Sequence, residues 1–452
     1  MHPLGRAVLD RPPPPSGPYL VVGLARSGIA AALALRSRDV EVAGCDSGAV
    51  SDEVRHRLEA AGVEVWPDTD GLELLGHAHS VVKSPGVPAQ APVVAAARER
   101  GVEVLGELEL GWRLLPNPCI AVTGSNGKTT TTELIGHVHR QAGVPVEVAG
   151  NVGTALSSLA GSPPPEGVVV VEASSFQLED TVAFAPDAAV MLNVTEDHLD
   201  RHGSLEAYRA AKLEIFARQP AGALAVAPLG FDSRQDHGGA ARLVRFGAGP
   251  EADLASRAGQ LWWEEQAFMP TEAIRLRGAH NLENAMAAAA VCLARGVEPP
   301  AVRGGLESFR GVPHRLEEVA TIGGVLYVND SKATNVASAA VGIGSFAGGV
   351  HVILGGRGKG SDYHPLERPV RQRCRAVYLI GEAGPEIGEA LAGTGVPRRA
   401  CSDLERAVSA ARAAAAPGEI IILSPACASY DQYSSFEERG DHFRALAARY
   451  GP

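Results

Sequence analysis

The segment Thr123-Gly124-Ser125-Asn126-Gly127-Lys128-Thr129-Thr130 limits what this chain can become more than any other. A buried-type apolar run, Cys119-Ile120-Ala121-Val122, comes just before it, so the order reads as strand, glycine loop and helix start. Glycines let backbone amides turn toward a phosphate. Lys128 adds a compact positive charge, and the Thr129 hydroxyl suits Mg2+. Val122 stands where the common form of the pattern carries glycine, so the loop is a variant. It predicts an α/β domain with a central parallel sheet that binds the phosphates of ATP through Gly124, Ser125, Asn126, Gly127, Lys128, Thr129 and Thr130.

The loop lies in a chain of 452 residues, long enough for about three domains. Upstream, the strand Tyr19–Gly23 runs into Gly23-Leu24-Ala25-Arg26-Ser27-Gly28, an alanine-rich helix, and the strand Val40–Gly44 before Asp46. This β-α-β opening offers an anion site at a helix N-terminus, with Ala25 where a dinucleotide fingerprint has its second glycine. Val81–Pro88 is another strand end and turn, and Leu105–Trp112 reads as a helix crossing to the next domain. Further strands are expected at Gly167–Val171 and Ala188–Leu192, and helices at Leu205–Phe216 and Ala279–Ala294. The character changes near Gly311, and a third α/β unit has strands at Val325–Val328, His351–Leu354, Val377–Ile380 and Ile420–Leu423.

Composition excludes several function classes. A net charge of −11 argues against nucleic acid or an anionic membrane as partner. No apolar run approaches the ~18 residues that span a bilayer, and the first eighteen residues read as a flexible lead-in without a signal-like core. The six cysteines have no metal-like spacing, as expected of reduced thiols in the cytoplasm.

Of 41 basic residues only five are lysine: Lys83, Lys128, Lys212, Lys332 and Lys359. Where arginine serves on the surface, a retained lysine marks a place that needs a compact ammonium or a removable proton. Several lie near strand ends. Glu172 closes the apolar run Val169-Val170-Val171, where a carboxylate can hold Mg2+; the alternative is a cap for Ser174-Ser175. Asn193-Val194-Thr195-Glu196-Asp197-His198 follows another strand, and His198 there can ligate metal or orient substrate. Lys212, on a helix, reads by itself as a solvated charge. Asn329–Asn335 and Gly355–Gly360 carry Lys332 and Lys359 on loops at strand ends, and Ser424–Tyr430 ends the last strong strand. These loops suit one anionic ligand. Cys427 has no paired histidine motif and is not read as a nucleophile.

In this order, Gly124-Ser-Asn-Gly-Lys-Thr-Thr, Glu172-Ala-Ser-Ser-Phe-Gln-Leu-Glu, Asn193-Val-Thr-Glu-Asp-His, Tyr208-Arg-Ala-Ala-Lys, His280-Asn-Leu-Glu-Asn, Pro313-His-Arg, Asn329-Asp-Ser-Lys-Ala-Thr-Asn and Ser424-Pro-Ala-Cys-Ala-Ser, the chain resembles the Mur ligases over nearly its whole length. The resemblance implies three domains: an N-terminal Rossmann-like UDP-sugar-binding domain (1–106, including the lead-in 1–18), a central ATPase domain (107–311), and a C-terminal Rossmann-like amino-acid-binding domain (312–452). It implies an ATP-dependent amide-bond ligase of peptidoglycan precursor synthesis that adds D-glutamate to UDP-N-acetylmuramoyl-L-alanine through an acyl phosphate, with ATP and two Mg2+ ions, as a cytoplasmic monomer.

By the same resemblance Lys128, Glu172, His198, Lys212 and Lys332 are catalytic. Thr129, Glu172, His198 and a carbamylated Lys212 hold metal. Asn281, Asn284, Arg315 and Asp330 serve the nucleotide, Ser27, Asp46, Ser84 and Asn151 the UDP-sugar, and Thr334, Lys359, Ser429 and Phe436 the D-glutamate. After Asp46, Ser47-Gly48 replaces the polar-then-basic pair common near the uracil, and Lys83 takes no role from the resemblance. A folate-polyglutamating enzyme would lack the first domain. The diaminopimelate- or lysine-adding ligases usually carry an Asp-Asn-Pro-Arg motif that is not found here. A dinucleotide oxidoreductase would not need the phosphate loop, nor a regulatory NTPase the lysine-bearing third domain.

Overall fold

Buried apolar runs such as Val168-Val169-Val170-Val171 form strands, and the strands lie in three sheets. The computed structural model describes residues 10–197, 199–231, 239–276, 278–358 and 360–451, with only the backbone of 199 and 200. The first sheet contains β1 (Tyr19–Val22), β2 (Val42–Cys45), β3 (Glu64–Trp66), β4 (Ser80–Lys83) and β5 (Glu103–Gly106). They are all parallel, in the order β3-β2-β1-β4-β5.

The second sheet contains β6 (Cys119–Thr123), β7 (Val146–Gly150), β8 (Val168–Glu172), β9 (Ala188–Met191), β10 (Leu224–Pro228), β11 (Arg242–Gly247), β12 (Leu254–Arg257), β13 (Gln260–Trp263) and β14 (Gln266–Pro270). Its order is β14-β13-β12-β11-β10-β9-β6-β8-β7, parallel from β7 to β12 and antiparallel beyond. The run Val168-Val169-Val170-Val171 is buried on both faces, the pattern of a central strand in a covered parallel sheet. The third sheet contains β15 (Glu317–Ile322), β16 (Val325–Asn329), β17 (Val350–Gly355), β18 (Cys374–Ile380), β19 (Arg398–Ala400) and β20 (Ile420–Leu423). Its order is β15-β16-β20-β17-β18-β19, with only β15 antiparallel.

The protein is therefore a three-domain α/β chain with one sheet per domain. By packing it divides into two compact units, residues 1–275 with 279–309, and 276–278 with 310–452. The first unit holds the first two sheets. No helix among the described residues is long and apolar enough to cross a membrane.

Two expectations change. The segment Leu105–Trp112 is not one helix. Leu105 pairs with Val82 in the parallel ladder, and the helix begins after Gly106 and runs Glu107–Leu114. The lead-in is not free from residue 11 onward. The Arg11 guanidinium donates to the Trp112, Leu115 and Asn117 carbonyls and lies 3.3 Å from Asp187. It also lies over the Trp112 ring, 5.1 Å from its centroid. Composition gave no sign of this, because a single side chain supplies the anchor.

Both Arg11 and Asp187 are nearly excluded from solvent, at 7% and 3% side-chain exposure. Arg11→Ala removes the guanidinium's bonds to three backbone carbonyls and to the buried Asp187 carboxylate, so it is expected to lower stability by about 2 kcal/mol. The check is a lowered urea midpoint; an unchanged midpoint means the lead-in adds nothing.

Candidate active site

Parallel strands deliver their following loops to one edge, and a crevice opens where the chain reverses its direction of winding. In the second sheet that point is β6, which lies between β8 and β9. The loop Gly124–Gly127 follows β6, Glu172 ends β8, and Asn193 follows β9. Val122 is in register with Glu172, and Thr123 with Met191, so these groups start level.

The loop is shaped from both sides. Asn193 accepts from Asn126 N at 2.9 Å through Oδ1 and from Ser125 N at 2.9 Å through its carbonyl. The Ser125 hydroxyl donates to Thr195 O at 3.0 Å and lies 3.2 Å from the Tyr208 hydroxyl. Gly127 has φ +86°, and a Cβ there would lie 2.1 Å from Asn284 Oδ1, so both the backbone and the space demand glycine. Asn284 in turn donates to Asn281 Oδ1 at 3.1 Å. Gly127 caps the helix Lys128–Gln141 without a side chain, which leaves the first-turn amides to an incoming anion. Lys128 Nζ donates to the Gly124 and Ser125 carbonyls at 2.8 and 2.9 Å. Thr129 is half-buried, and Thr130 is buried.

Lys212 overturns its reading as a solvated charge. It is 1% exposed, donates to Gly124 O at 2.8 Å and lies 4.4 Å from the Tyr208 ring centroid. Burial, then the neighbouring Lys128 charge, lowers its pKa from 10.5 to about 7, so the amine is easily left neutral.

Glu172 is 3% exposed and accepts from Asn151 Nδ2 at 3.1 Å. It does not cap Ser174: that duty falls to Gln177, which accepts from Ser174 N at 3.0 Å in a capping box. A buried carboxylate with no Lys, Arg or His within ion-pair distance among the described residues suits a cation. Among those residues no three His, Cys, Asp or Glu side chains group as metal ligands. His198 and Lys359 lie outside the described residues.

The first sheet repeats the scheme. β1 lies between β2 and β4, and Ser27, Asp46 and Ser84 follow these three strands. All three, with Asn151 just after β7 and Gln177 on the helix Ser175–Leu178, line a cavity of about 770 Å3. Gly28 is obligatory there, because a Cβ would lie 1.8 Å from Gly23 O. Two of the expected ligands are already engaged. The Ser84 hydroxyl donates to Gly23 O at 2.8 Å, and Asp46 accepts from Leu24 N at 2.7 Å and Gly48 N at 2.9 Å. Arg26, unassigned from sequence, also lines the cavity and donates to Asn151 O at 2.7 Å. Lys83 is fully buried, 2.7 Å from Asp180 Oδ2.

In the second unit β16, β20 and β17 are adjacent, and the loops carrying Asp330–Thr334, Ser429 and Gly356–Gly358 follow them. Arg439 was missed because arginine is common in this chain. It is 1% exposed and donates to Ser331 Oγ and to the Ser331, Cys427 and Ala428 carbonyls at 2.9–3.2 Å, so it joins two of these loops. Lys332 Nζ lies 5.8 Å from the Phe436 ring centroid, and Thr334 is half-buried. Cys427 is buried and its thiol pKa is raised by burial, which suits packing rather than nucleophilic attack. Asp330 accepts from Ser424 Oγ at 2.7 Å and Leu316 N at 3.2 Å, next in sequence to Arg315.

Three family models match in sequence: a Mur ligase MurD-like N-terminal domain over residues 18–106, a Mur ligase middle domain over 122–292, and a Mur ligase glutamate ligase domain over 314–427. The chain belongs to the Mur ligase family. It is 43% identical to the UDP-N-acetylmuramoylalanine–D-glutamate ligase of Acidobacterium capsulatum, covering 94% of this chain and 95% of that one. It is 40% identical to the enzyme of that name from Pelotomaculum thermopropionicum, over 94% and 96%. Among solved structures it shares the fold of the UDP-N-acetylmuramate–alanine ligase of Thermotoga maritima, with TM-score 0.60, 21% identity and 96% and 98% coverage. The MurF ligase of Thermotoga maritima in complex with ADP aligns with TM-score 0.59 at 16% identity, over 90% and 95%.

Burial raises the Asp330 pKa from 3.8 to about 6. The folded state then holds a proton that the unfolded state has lost, so stability present below pH 4 is lost as pH rises through 6. Compared with Asp330→Asn, the natural protein is expected to lose about 2 kcal/mol between pH 4 and pH 7. Urea denaturation of both at the two pH values measures this, and parallel profiles would contradict it.

Proposed function

We propose that this chain joins D-glutamate to UDP-N-acetylmuramoyl-L-alanine with hydrolysis of ATP to ADP and phosphate, a step of peptidoglycan precursor synthesis. The observation that carries this reading is the full-length match, at 43% and 40% identity, to ligases of that name. A phosphate loop beside a buried lysine and a buried carboxylate supports it in chemistry.

ATP supplies the phosphoryl group that turns the substrate carboxylate into an acyl phosphate, from which the D-glutamate amine displaces phosphate. Both steps bring anions together, so the residues have chiefly to place positive charge and hold geometry. The first-turn amides of Lys128–Gln141 and the Lys128 ammonium cradle the phosphates. Asn281, Asn284, Arg315 and Asp330 serve the nucleotide. Thr129 and Glu172, with His198 and a carbamylated Lys212, would hold two Mg2+ ions, which would supply positive charge to offset that of the phosphates.

A carbamate forms when a neutral amine adds to CO2 and releases a proton, and the low pKa of Lys212 favours the neutral amine. The cavity beside Ser27, Asp46, Ser84 and Asn151 takes the UDP-sugar, its diphosphate at the N-terminus of the helix Arg26–Arg36. Lys332, Thr334, Lys359, Ser429 and Phe436 take the D-glutamate. Domain limits at 106/107 and 311/312, a monomer, and the cytoplasm complete the reading; six free thiols agree with a reducing compartment.

Phosphate release from ATP is expected to require both UDP-N-acetylmuramoyl-L-alanine and D-glutamate. Release supported by other amino acids and not by D-glutamate would refute the assignment. Lys212→Ala is expected to lose activity by about 100-fold or more, of the size seen when one electrostatic group is removed, and to regain part of it with added formate or acetate. Full activity without them would exclude the carbamate.

A further inference from the structure

The two walls of the 770 Å3 cavity come from the first and second domains. One is the turn Ser84-Pro85-Gly86-Val87-Pro88 after β4; the other includes Gln177, just before Asp180. Lys83 lies behind both. Its ammonium is 2.7 Å from Asp180 Oδ2 and donates to Val87 O at 2.7 Å. Arg201 holds the same turn by donating to Pro85 O at 3.2 Å, and Gly106 N donates to Asp180 O at 3.0 Å. Arg98 approaches Asp180 Oδ1 at 3.8 Å. The side chains of Lys83 and Asp180 are 0% and 4% exposed.

A buried ion pair is a weak source of stability, because desolvation offsets its attraction, and a well-packed apolar pair of similar volume is often as stable. What the pair does provide is direction. A compact ammonium reaches a carboxylate on one domain and a carbonyl in the cavity wall of the other at once, in a fully enclosed space that a bulkier guanidinium would overfill. Lys83 is also one of five lysines in a chain that otherwise uses arginine.

We propose that Lys83 and Asp180 are positioning residues for the UDP-sugar substrate: together they hold the turn 84–88 against the segment 177–180 and so set the width of the cavity between them. This rests on the reading of the cavity as the UDP-sugar site. The pair touches no substrate; it acts through Val87 and Gln177.

The test is steady-state kinetics of the full chain with Lys83→Met, Asp180→Leu and the double variant, with thermal melting alongside. The double variant removes both charges at similar bulk, so it is expected to melt close to the natural protein. Its KM for UDP-N-acetylmuramoyl-L-alanine is expected to rise about tenfold, while kcat and the KM values for ATP and D-glutamate stay within twofold. Lys83→Arg is expected not to restore that KM. A folded double variant with an unchanged KM for the UDP-sugar overturns the proposal, and so does an equal rise in all three KM values, which marks a merely structural pair. Asn151→Ala separates the two levels of the argument. If it raises the UDP-sugar KM and the double variant does not, only the positioning role falls; if neither raises it, the cavity is not the UDP-sugar site.

Discussion

The arrangement depends on one tight approach, that of Gly127 to Asn284. A phosphate loop works only if its amides face outward, and that requires a left-handed residue before the helix. Here the space for a side chain at that residue is already taken by the Asn284 amide. The loop is thus held by a helix about 150 residues downstream in the chain, and by Asn193 and Tyr208 on its other side. Each of those contacts needs the second sheet to have formed, because β9 and β6 must be level before Asn193 meets Asn126.

The same logic recurs in each sheet. Functional loops follow adjacent strands around the place where winding reverses: β1, β2 and β4 in the first sheet, β6, β8 and β9 in the second, β16, β17 and β20 in the third. A parallel sheet sends its carboxyl ends to one edge, so residues far apart in sequence arrive together without long loops. Buried charge then tunes the second crevice. Lys212 is driven toward the neutral amine by its surroundings, and Glu172 accepts from Asn151 while Gln177 caps the neighbouring helix.

Much of this was legible in the residues. Apolar runs located half of the described strands, among them those whose loops carry the sites, and the scarcity of lysine singled out Lys212 and Lys83. Three things were not legible. Arg11 docks through a single side chain on carbonyls a hundred residues away, and no local pattern records that. Arg439 is one arginine among many, distinguished only by its burial. No sequence motif singles out Asp180, and only packing places it against Lys83.

The sequence by itself determined the α/β class, the phosphate loop, the strand ends that carry polar groups and the resemblance to the Mur ligases. These follow from periodicity, glycine and residue type, which are local properties. Tertiary structure alone decided which charges are buried. The Lys212 ammonium reads as a surface charge until the loop carbonyl of Gly124 and the Tyr208 ring enclose it. Lys83 acquires a partner only when two sheets meet. Desolvation depends on everything that surrounds a group, and most of what surrounds these two comes from elsewhere in the chain.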